Sequence, residues 1–323
     1  MIDLHSDTIY ALWKDNSSQS VVHNSLHIDK EKLLKAESHG QCFALFTPMH
    51  DLVPERHKGK SPWQMLVELH DRFVREMKGA AIPVLHSAKE LEEQTLHAIL
   101  TTEEGGAIEG DISRLKTLKD WGVRIFGLTW NWENELGYPN SSDSAVMAKG
   151  LKEKGIEAVE ECSRLGIIID VSHLSDGGFR DVIRYSKLPV VATHSNARSV
   201  TAVSRNLTDE ELCMLAESGG VAGLNLCPAF LHDEKASRPE EAVSRVCDMV
   251  RHVMHVYKTA GEDVLAIGTD FDGIEGNLEI ASPDKFYILR DALLKAGMKP
   301  SVVDKMWEEN AKRVFQSAEE EDV

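Results

Sequence analysis

A histidine and an aspartate separated by one serine follow the first apolar residues of the chain, in the sequence Ile2-Asp3-Leu4-His5-Ser6-Asp7. Side chains at positions i and i+2 of a strand point to the same side, so His5 and Asp7 would share one face. An imidazole nitrogen and a carboxylate oxygen are both suitable zinc ligands. The spacing therefore predicts part of a metal site, whose other ligands must come from elsewhere in the chain.

Residues of the same chemical types recur where later strands are predicted to end. Asp7, Glu104, His173, His194 and Asp270 each lie at the carboxyl end of a different predicted strand. In a closed barrel of parallel strands these ends meet at one rim, where the following loops build the active site. We therefore interpret His5, Asp7, Glu104, His173 and His194 as metal ligands. The alternative is that the two later histidines are ordinary hydrogen-bonded residues at strand ends.

The donor set favours two metal ions over one. His5 and Asp7 can serve one ion, the two later histidines can serve a second, and Glu104 can bridge both with its two oxygens. Its neighbour Glu103 is expected to point away, because adjacent side chains of a strand alternate. Paired ions can share a hydroxide and polarise a scissile carbonyl. Asp270 would take the proton from that water and pass it to the leaving amine, so the site is predicted to be hydrolytic.

Short apolar segments alternate with helical segments along the whole chain. Strands are predicted near residues 2–7, 41–47, 96–102, 123–129, 167–173, 189–194, 220–226 and 264–270, and helices near 29–38, 62–77, 115–121, 150–165, 178–186, from 208 onward, 239–257 and at the end of the chain. This alternation predicts an α/β fold, and at 323 residues a (β/α)8 TIM barrel that forms a single catalytic domain over residues 1–323. A doubly wound open sheet is the alternative.

Composition limits the partners and the compartment. The net charge of −17 disfavours nucleic acid and anionic membranes as partners. Five scattered cysteines without a C-x-x-C pair favour free thiols in a reducing compartment. No basic and apolar leader precedes Ile2, and no apolar run approaches the roughly 18 residues that span a bilayer. We expect a cytoplasmic protein with a small-molecule substrate, and a homodimer is compatible with the sequence.

Five motifs, taken together and in order, resemble those of the renal (membrane) dipeptidase family of zinc peptidases, in a bacterial-type cytoplasmic form. They are Ile2-Asp3-Leu4-His5-Ser6-Asp7, Glu104-Gly105-Gly106, Asp170-Val171-Ser172-His173, Thr193-His194-Ser195-Asn196 and Gly268-Thr269-Asp270-Phe271-Asp272-Gly273. The resemblance implies an amidohydrolase-like TIM barrel with two Zn²⁺ ions, replaceable by other divalent metals, that hydrolyses unblocked dipeptides. It also implies that Glu104 bridges the metals and that L-Xaa-D-Ala dipeptides are substrates.

The resemblance further concerns the residues that bind the substrate. It implies that Arg205 binds the terminal carboxylate of the dipeptide, with Arg198 as the competing candidate nearby. The animal enzymes carry a histidine, thought to stabilise the oxyanion, where this chain has Trp130, whose indole offers a single neutral N–H. Either Asn131 or Asn134 replaces that donor, or the metal suffices, or the substrate differs. We therefore assign Arg205, Trp130 and Asn131 to substrate binding.

Two other functions remain open from the sequence. The same barrel could hydrolyse a lactone, a cyclic amide or an N-acyl amino acid, or it could be a binding protein that has lost turnover.

His252 and His255, one helical turn apart, are interpreted as packing or surface residues because no carboxylate accompanies them.

Overall fold

Eight parallel strands close into a barrel in the computed structural model, which describes residues 1–14 and 18–320. The strands are β1 (Ile2–Asp3), β2 (Gly40–Phe46), β3 (His97–Glu103), β4 (Val123–Gly127), β5 (Ile168–Asp170), β6 (Val191–Ala192), β7 (Val221–Leu224) and β8 (Leu265–Ile267). Their order around the barrel follows the sequence, and β8 pairs with both β7 and β1. The predicted (β/α)8 TIM barrel is confirmed, and the open doubly wound sheet is excluded.

A layer of apolar side chains fills the barrel. Every strand contributes to a single buried cluster, through Ile2, Cys42, Ile99, Ile125, Ile168, Val191, Val221 and Ala266. Side chains from all eight strands can meet only inside the barrel, so these residues mark the inward face of each strand. A second and larger apolar cluster lies between the strands and the helices. The strands are therefore buried on both faces, as parallel strands covered by helices require.

The helices that surround the barrel largely match the predicted segments. They are α1 (Thr8–Lys14), α2 (Lys30–Lys35), α3 (Pro62–Ala80), α4 (Arg114–Asp120), α5 (Ser144–Met147), α6 (Glu153–Leu165), α7 (Asp176–Tyr185), α8 (Asp209–Glu217), α9 (Pro228–Leu231), α10 (Val246–Ala260), α11 (Tyr287–Lys295), α12 (Pro300–Asp304) and α13 (Asn310–Glu320). Among the described residues, no helix combines the length and the apolar character needed to cross a membrane.

One predicted helix begins later than the sequence suggested. The prediction placed its start near Pro239, but α10 begins at Val246. The segment Pro239–Glu241 forms one 3-10 turn, and Val243–Ser244 then pairs in parallel with Asn277–Leu278. This small sheet joins the loop before α10 to the loop after β8, which carries part of the rim.

Several strands also end earlier than predicted. The regular part of β1 ends at Asp3, and that of β8 ends at Ile267. The candidate ligands therefore lie in the first residues of the loops that follow the strands, and hydrogen bonds within these loops must hold their positions.

Candidate active site

The carboxylate of Glu103 lies among three buried histidines at the carboxyl end of the barrel. Its Oε2 atom is 3.5 Å from Nε2 of His5. Its Oε1 atom is 2.9 Å from Nε2 of His173 and 3.6 Å from Nε2 of His194. The Nε2 atoms of the two later histidines are 3.0 Å apart. The two oxygens of one carboxylate thus face different histidines.

Two aspartates extend this cluster on the side of His5. Oδ2 of Asp7 lies 3.6 Å from Nε2 of His5, and Oδ1 of Asp270 lies 4.0 Å from the same nitrogen. The backbone of Gly273 passes so close that a β-carbon there would approach Oδ2 of Asp7 to 2.0 Å. A glycine at this position therefore keeps space open beside the carboxylates.

The donor set fits a divalent cation. Donor atoms of His5, Glu103 and His194 lie within 4.8 Å of one another, and so do those of His5, Asp7 and Asp270. Nε2 of His5 and Oδ1 of Asp7 are buried without a hydrogen-bond partner among the described residues. Leaving such atoms unpaired is costly unless another ligand satisfies them. Imidazole nitrogens and carboxylate oxygens are ligands that zinc accepts.

The sequence predicted Glu104 as the carboxylate that bridges the metals, but in the structure Glu103 occupies the position among the three histidines. Ile99 points into the barrel, and alternation along β3 places Glu103 on the same face. Glu104 lies beyond the end of β3 with a left-handed backbone, at a φ of 74°. The expectation that Glu103 points away was therefore also wrong. Both faces of β3 are buried, so the apolar pattern could not reveal which face is inward.

Glu104 instead organises the loop after β4. Its side chain accepts hydrogen bonds from the backbone N–H groups of Gly106 and Trp130, at 2.7 and 2.9 Å. It also accepts a bond of 2.6 Å from Nδ2 of Asn134, whose other bond goes to the carbonyl of Leu128. Asn134 is thus engaged away from the cluster, which excludes it as the replacement donor that the sequence left open.

Hydrogen bonds to the second ring nitrogens fix the two later histidines. Nδ1 of His173 lies 3.0 Å from Oδ1 of Asn131, and an amide oxygen can only accept, so this nitrogen carries the proton. Nδ1 of His194 lies 2.7 Å from the hydroxyl of Thr193, which itself donates to Asp170 at 2.5 Å. Both rings therefore direct the Nε2 lone pair toward Glu103, as metal-binding histidines require.

Two buried aspartates outside the cluster hold the strand ends together. Asp3 accepts hydrogen bonds from the backbone and side chain of Thr269, at 2.9 and 2.7 Å, and from the backbone of His5 at 3.3 Å. Asp170 makes equivalent bonds to Thr193, at 2.9 and 2.5 Å. Sequence reasoning missed both roles. The repeated signal was an aspartate in one strand and a threonine directly before a site residue in the neighbouring strand.

Asp270 is positioned by a residue that the sequence analysis also missed. Nδ2 of Asn225 donates to Oδ2 of Asp270 at 2.9 Å and to the carbonyl of His194 at 3.1 Å. Asn225 follows β7 and is fully buried, so its amide links the loops after three strands. The other carboxylate oxygen of Asp270 is left facing the cluster.

The electrostatics of the cluster follow from burial. Burial raises the pKa of Glu103 to about 7 and that of Asp270 to about 6. Burial alone would lower the pKa of His5, but the adjacent Glu103 and Asp7 carboxylates raise it well above its usual value. Burial also lowers the pKa values of His173 and His194 well below their usual range. A divalent cation would offset the negative charges that this site concentrates in a buried space.

A cavity of about 880 Å³ opens above the cluster. Its lining includes Arg205, Trp130 and Asn131, as the sequence analysis expected of substrate-binding residues. Arg205 is buried, donates to Ser195 Oγ at 2.9 Å and to the carbonyl of Ser172, and has one amine 2.8 Å from Nε2 of His173. Arg198, the competing candidate, is paired with both oxygens of Asp176 instead.

The remaining histidine pair does not form a metal site. Nδ1 of His252 accepts the backbone N–H of Ala197 at 3.1 Å, and Nε2 lies 3.0 Å from the carbonyl of Leu231. His255 pairs with Asp209 at 2.7 Å. The first histidine therefore supports the loop after β6, which also carries Arg205.

Two solved structures of similar architecture are metallo peptidases. A metallo peptidase from Rhodobacter sphaeroides, crystallised with a phosphinate mimic of the dipeptide L-Ala-D-Ala, is 27% identical, with a TM-score of 0.86 over 98% of both chains. A metallo peptidase of family M19 named dipeptidase AC is 28% identical, with a TM-score of 0.85 over 98% of both chains. Among curated sequences, an uncharacterized protein in the pqqA 5′ region of Klebsiella pneumoniae is 33% identical over 232 residues, which cover 70% of this chain and 83% of that protein.

The barrel and the donors at its rim define a peptide-bond hydrolase of the metallo-dipeptidase class. The family within this class is shown by the sequence itself, because a family profile matches residues 1–322. The chain belongs to the membrane dipeptidase family, peptidase family M19.

Proposed function

We propose that this protein is a binuclear zinc dipeptidase that hydrolyses unblocked dipeptides, including L-Xaa-D-Ala. The observation that carries this proposal is the position of Glu103, whose Oε2 faces His5 and whose Oε1 faces His173 and His194. A carboxylate in that position can serve two ions at once. The dipeptide mimic bound to the Rhodobacter sphaeroides peptidase supports the D-configured second residue.

The proposed ligands divide into two sets. His5 and Asp7 would hold one ion, the two later histidines would hold the other, and the carboxylate of Glu103 would be shared between the two sets. Two such ions supply an activated water nucleophile and polarise the carbonyl under attack. Other divalent metals suit the same nitrogen and oxygen donors.

The other residues of the site would orient the substrate and move its proton. Asp270, held by Asn225, has its free oxygen toward His5 and would accept a proton from the nucleophile and return it to the leaving amine. Arg205 would bind the carboxylate of the second residue, because a guanidinium makes paired hydrogen bonds to carboxylates. Trp130 and Asn131 would border the first residue.

We further propose that residues 1–323 act as one catalytic domain. The support is the origin of the ligands, because His5 and Asp7 follow β1 whereas Asp270 follows β8. A site assembled from the first and last strands needs the whole barrel.

Metal analysis combined with a substrate panel tests the proposal. Purified protein should bind about two equivalents of zinc and cleave L-Leu-D-Ala, while N-acetyl-leucine and simple lactones are cleaved far more slowly. Protein that binds less than one equivalent, and whose activity does not respond to added zinc, would contradict the binuclear site. A preference for the lactone or the N-acyl amino acid would assign the barrel to a different hydrolysis.

A further inference from the structure

Aromatic side chains form a continuous row along one wall of the cavity. The ring of Trp130 lies 5.9 Å from that of His173, and 5.1 Å from that of Phe46. The ring of Phe46 meets that of Tyr10 edge-on, with centroids 5.0 Å apart. We call Tyr10, Phe46 and Trp130 the aromatic row. It leads from the histidine cluster to the half-buried Tyr10, and all three residues line the cavity.

The end of the aromatic row formed by Tyr10 and Phe46 lies across the barrel from Arg205, and Trp130 lies between them near His173. Tyr10 is in the helix after β1, Phe46 ends β2 and Trp130 follows β4, whereas Arg205 follows β6. In a closed ring of eight strands, β6 lies across from β2. A dipeptide whose carboxylate is bound by Arg205, and whose peptide bond lies over Glu103, would extend its first residue toward the row.

The size of the cavity and the chemistry of the aromatic row indicate what kind of first residue would fit. A cavity of about 880 Å³ is far larger than L-Ala-D-Ala needs. Aromatic rings bind apolar and aromatic groups through offset or edge-to-face contacts. The row itself carries no charge. The exposed Lys14 also lines the cavity, with its Nζ 5.8 Å from the Tyr10 ring.

We propose that the aromatic row is the specificity surface for the side chain of the first residue, and that it selects large apolar and above all aromatic side chains. This inference rests on the proposed dipeptidase function and deepens it. Small or acidic first residues leave the row uncovered and gain no comparable contact.

The test compares kcat/KM for L-Phe-D-Ala, L-Leu-D-Ala, L-Ala-D-Ala and L-Glu-D-Ala with the zinc-loaded enzyme. We expect L-Phe-D-Ala to exceed L-Ala-D-Ala by about tenfold or more, as apolar contacts in an enzyme pocket provide. Tyr10→Ala and Phe46→Leu should each reduce the ratio of these two values severalfold. Trp63→Ala is the matched control, because Trp63 stacks on Trp121 in another aromatic group that does not line the cavity, and its ratio should equal that of the wild type.

The possible results separate the two proposals. Equal kcat/KM for all four dipeptides, or a preference for L-Glu-D-Ala, would overturn the role of the row while leaving the dipeptidase function intact. Ratios unaffected by both row variants, in proteins with wild-type melting temperatures, would also overturn it. If none of the dipeptides is hydrolysed, the proposed function itself fails.

Discussion

Glu103 and Glu104 are adjacent acids whose carboxylates serve different parts of the molecule. The first faces the three histidines, and the second accepts hydrogen bonds from the loop after β4. A single step along the chain changes the direction of the side chain, because the chain leaves β3 between them. The ligand role proposed for one and the loop-supporting role of the other can therefore be separated by substitution.

Glu103→Gln should remove most bound metal at both positions and lower kcat by at least about a thousandfold, since an amide cannot replace a carboxylate shared between cations. Glu104→Gln should retain about two equivalents, because the altered group lies outside the cluster. Metal content by mass spectrometry and kcat on L-Leu-D-Ala measure both effects. Loss of metal in the second variant with retention in the first would contradict the structural assignment.

Asn131 affects the site through His173. Its amide oxygen accepts the Nδ1 proton of that ring at 3.0 Å and so fixes which nitrogen faces Glu103. Asn131→Ala should weaken zinc affinity by about 10–100-fold, the usual cost of removing such a partner. Asn131→Asp retains an acceptor and should restore most of the affinity. Competition with a chromophoric chelator measures the constants, and equal affinities in all three proteins would refute the role.

At the scale of elements, α10 supports the loop that carries Arg205. His252 of α10 accepts the Ala197 N–H, and the hydroxyl of Thr201 lies 3.3 Å from its other ring nitrogen. The ring of His252 is buried, and this burial lowers the pKa of His252 to about 4. The native protein therefore holds this histidine neutral.

Because His252 is neutral in the native protein, we expect the protein to lose folding stability in acid. Between about pH 6.5 and pH 4 the unfolded chain binds a proton at this residue and the native protein does not, so stability is lost as the pH falls through that window. His252→Gln should reduce this loss by about 2 kcal/mol between pH 7.0 and pH 4.5. Urea unfolding at pH 7.0, 5.5 and 4.5 measures it. His23→Gln, with a side chain that is 78% exposed, is the control and should follow the wild type.

The elements show what the sequence could and could not reveal. Alternating apolar and helical segments predicted all eight barrel strands, and the positions of His5, His173, His194 and Asp270 after them. The inward face of β3 could not be predicted, because both faces of the strand are buried and each carries apolar and polar residues. Nor could Asn225 be recognised, since its function depends on a contact with Asp270, 45 residues away.

At the scale of the molecule, the barrel closes between its first and last strands at Asp3. This buried carboxylate receives the Thr269 hydroxyl after β8 and the Gln41 amide of β2, at 2.7 and 3.2 Å. Burial raises the pKa of Asp3. One side chain thus joins three strands just below His5.

Thr269→Val keeps the shape of this side chain and removes its hydroxyl. The buried Asp3 oxygen then loses a donor, and the free energy of unfolding should fall by about 1–3 kcal/mol. Thr117→Val on the half-buried face of α4 is the control, with an expected change within about 0.5 kcal/mol. Thermal and urea unfolding of the metal-loaded proteins provide the comparison. Equal losses of unfolding free energy in both variants would show that the hydrogen bond from Thr269 to Asp3 contributes no more to stability than an ordinary half-buried hydroxyl group.

Closure between β1 and β8 also has a consequence for biosynthesis. A ribosome produces His5 and Asp7 more than 260 residues before it reaches Asp270. Until β8 leaves the exit tunnel, β1 lacks one neighbour and the proposed proton-transfer residue is absent. If Asp270 has the proposed role, a growing polypeptide cannot cleave peptides around it, and activity begins only when translation of the barrel is nearly complete.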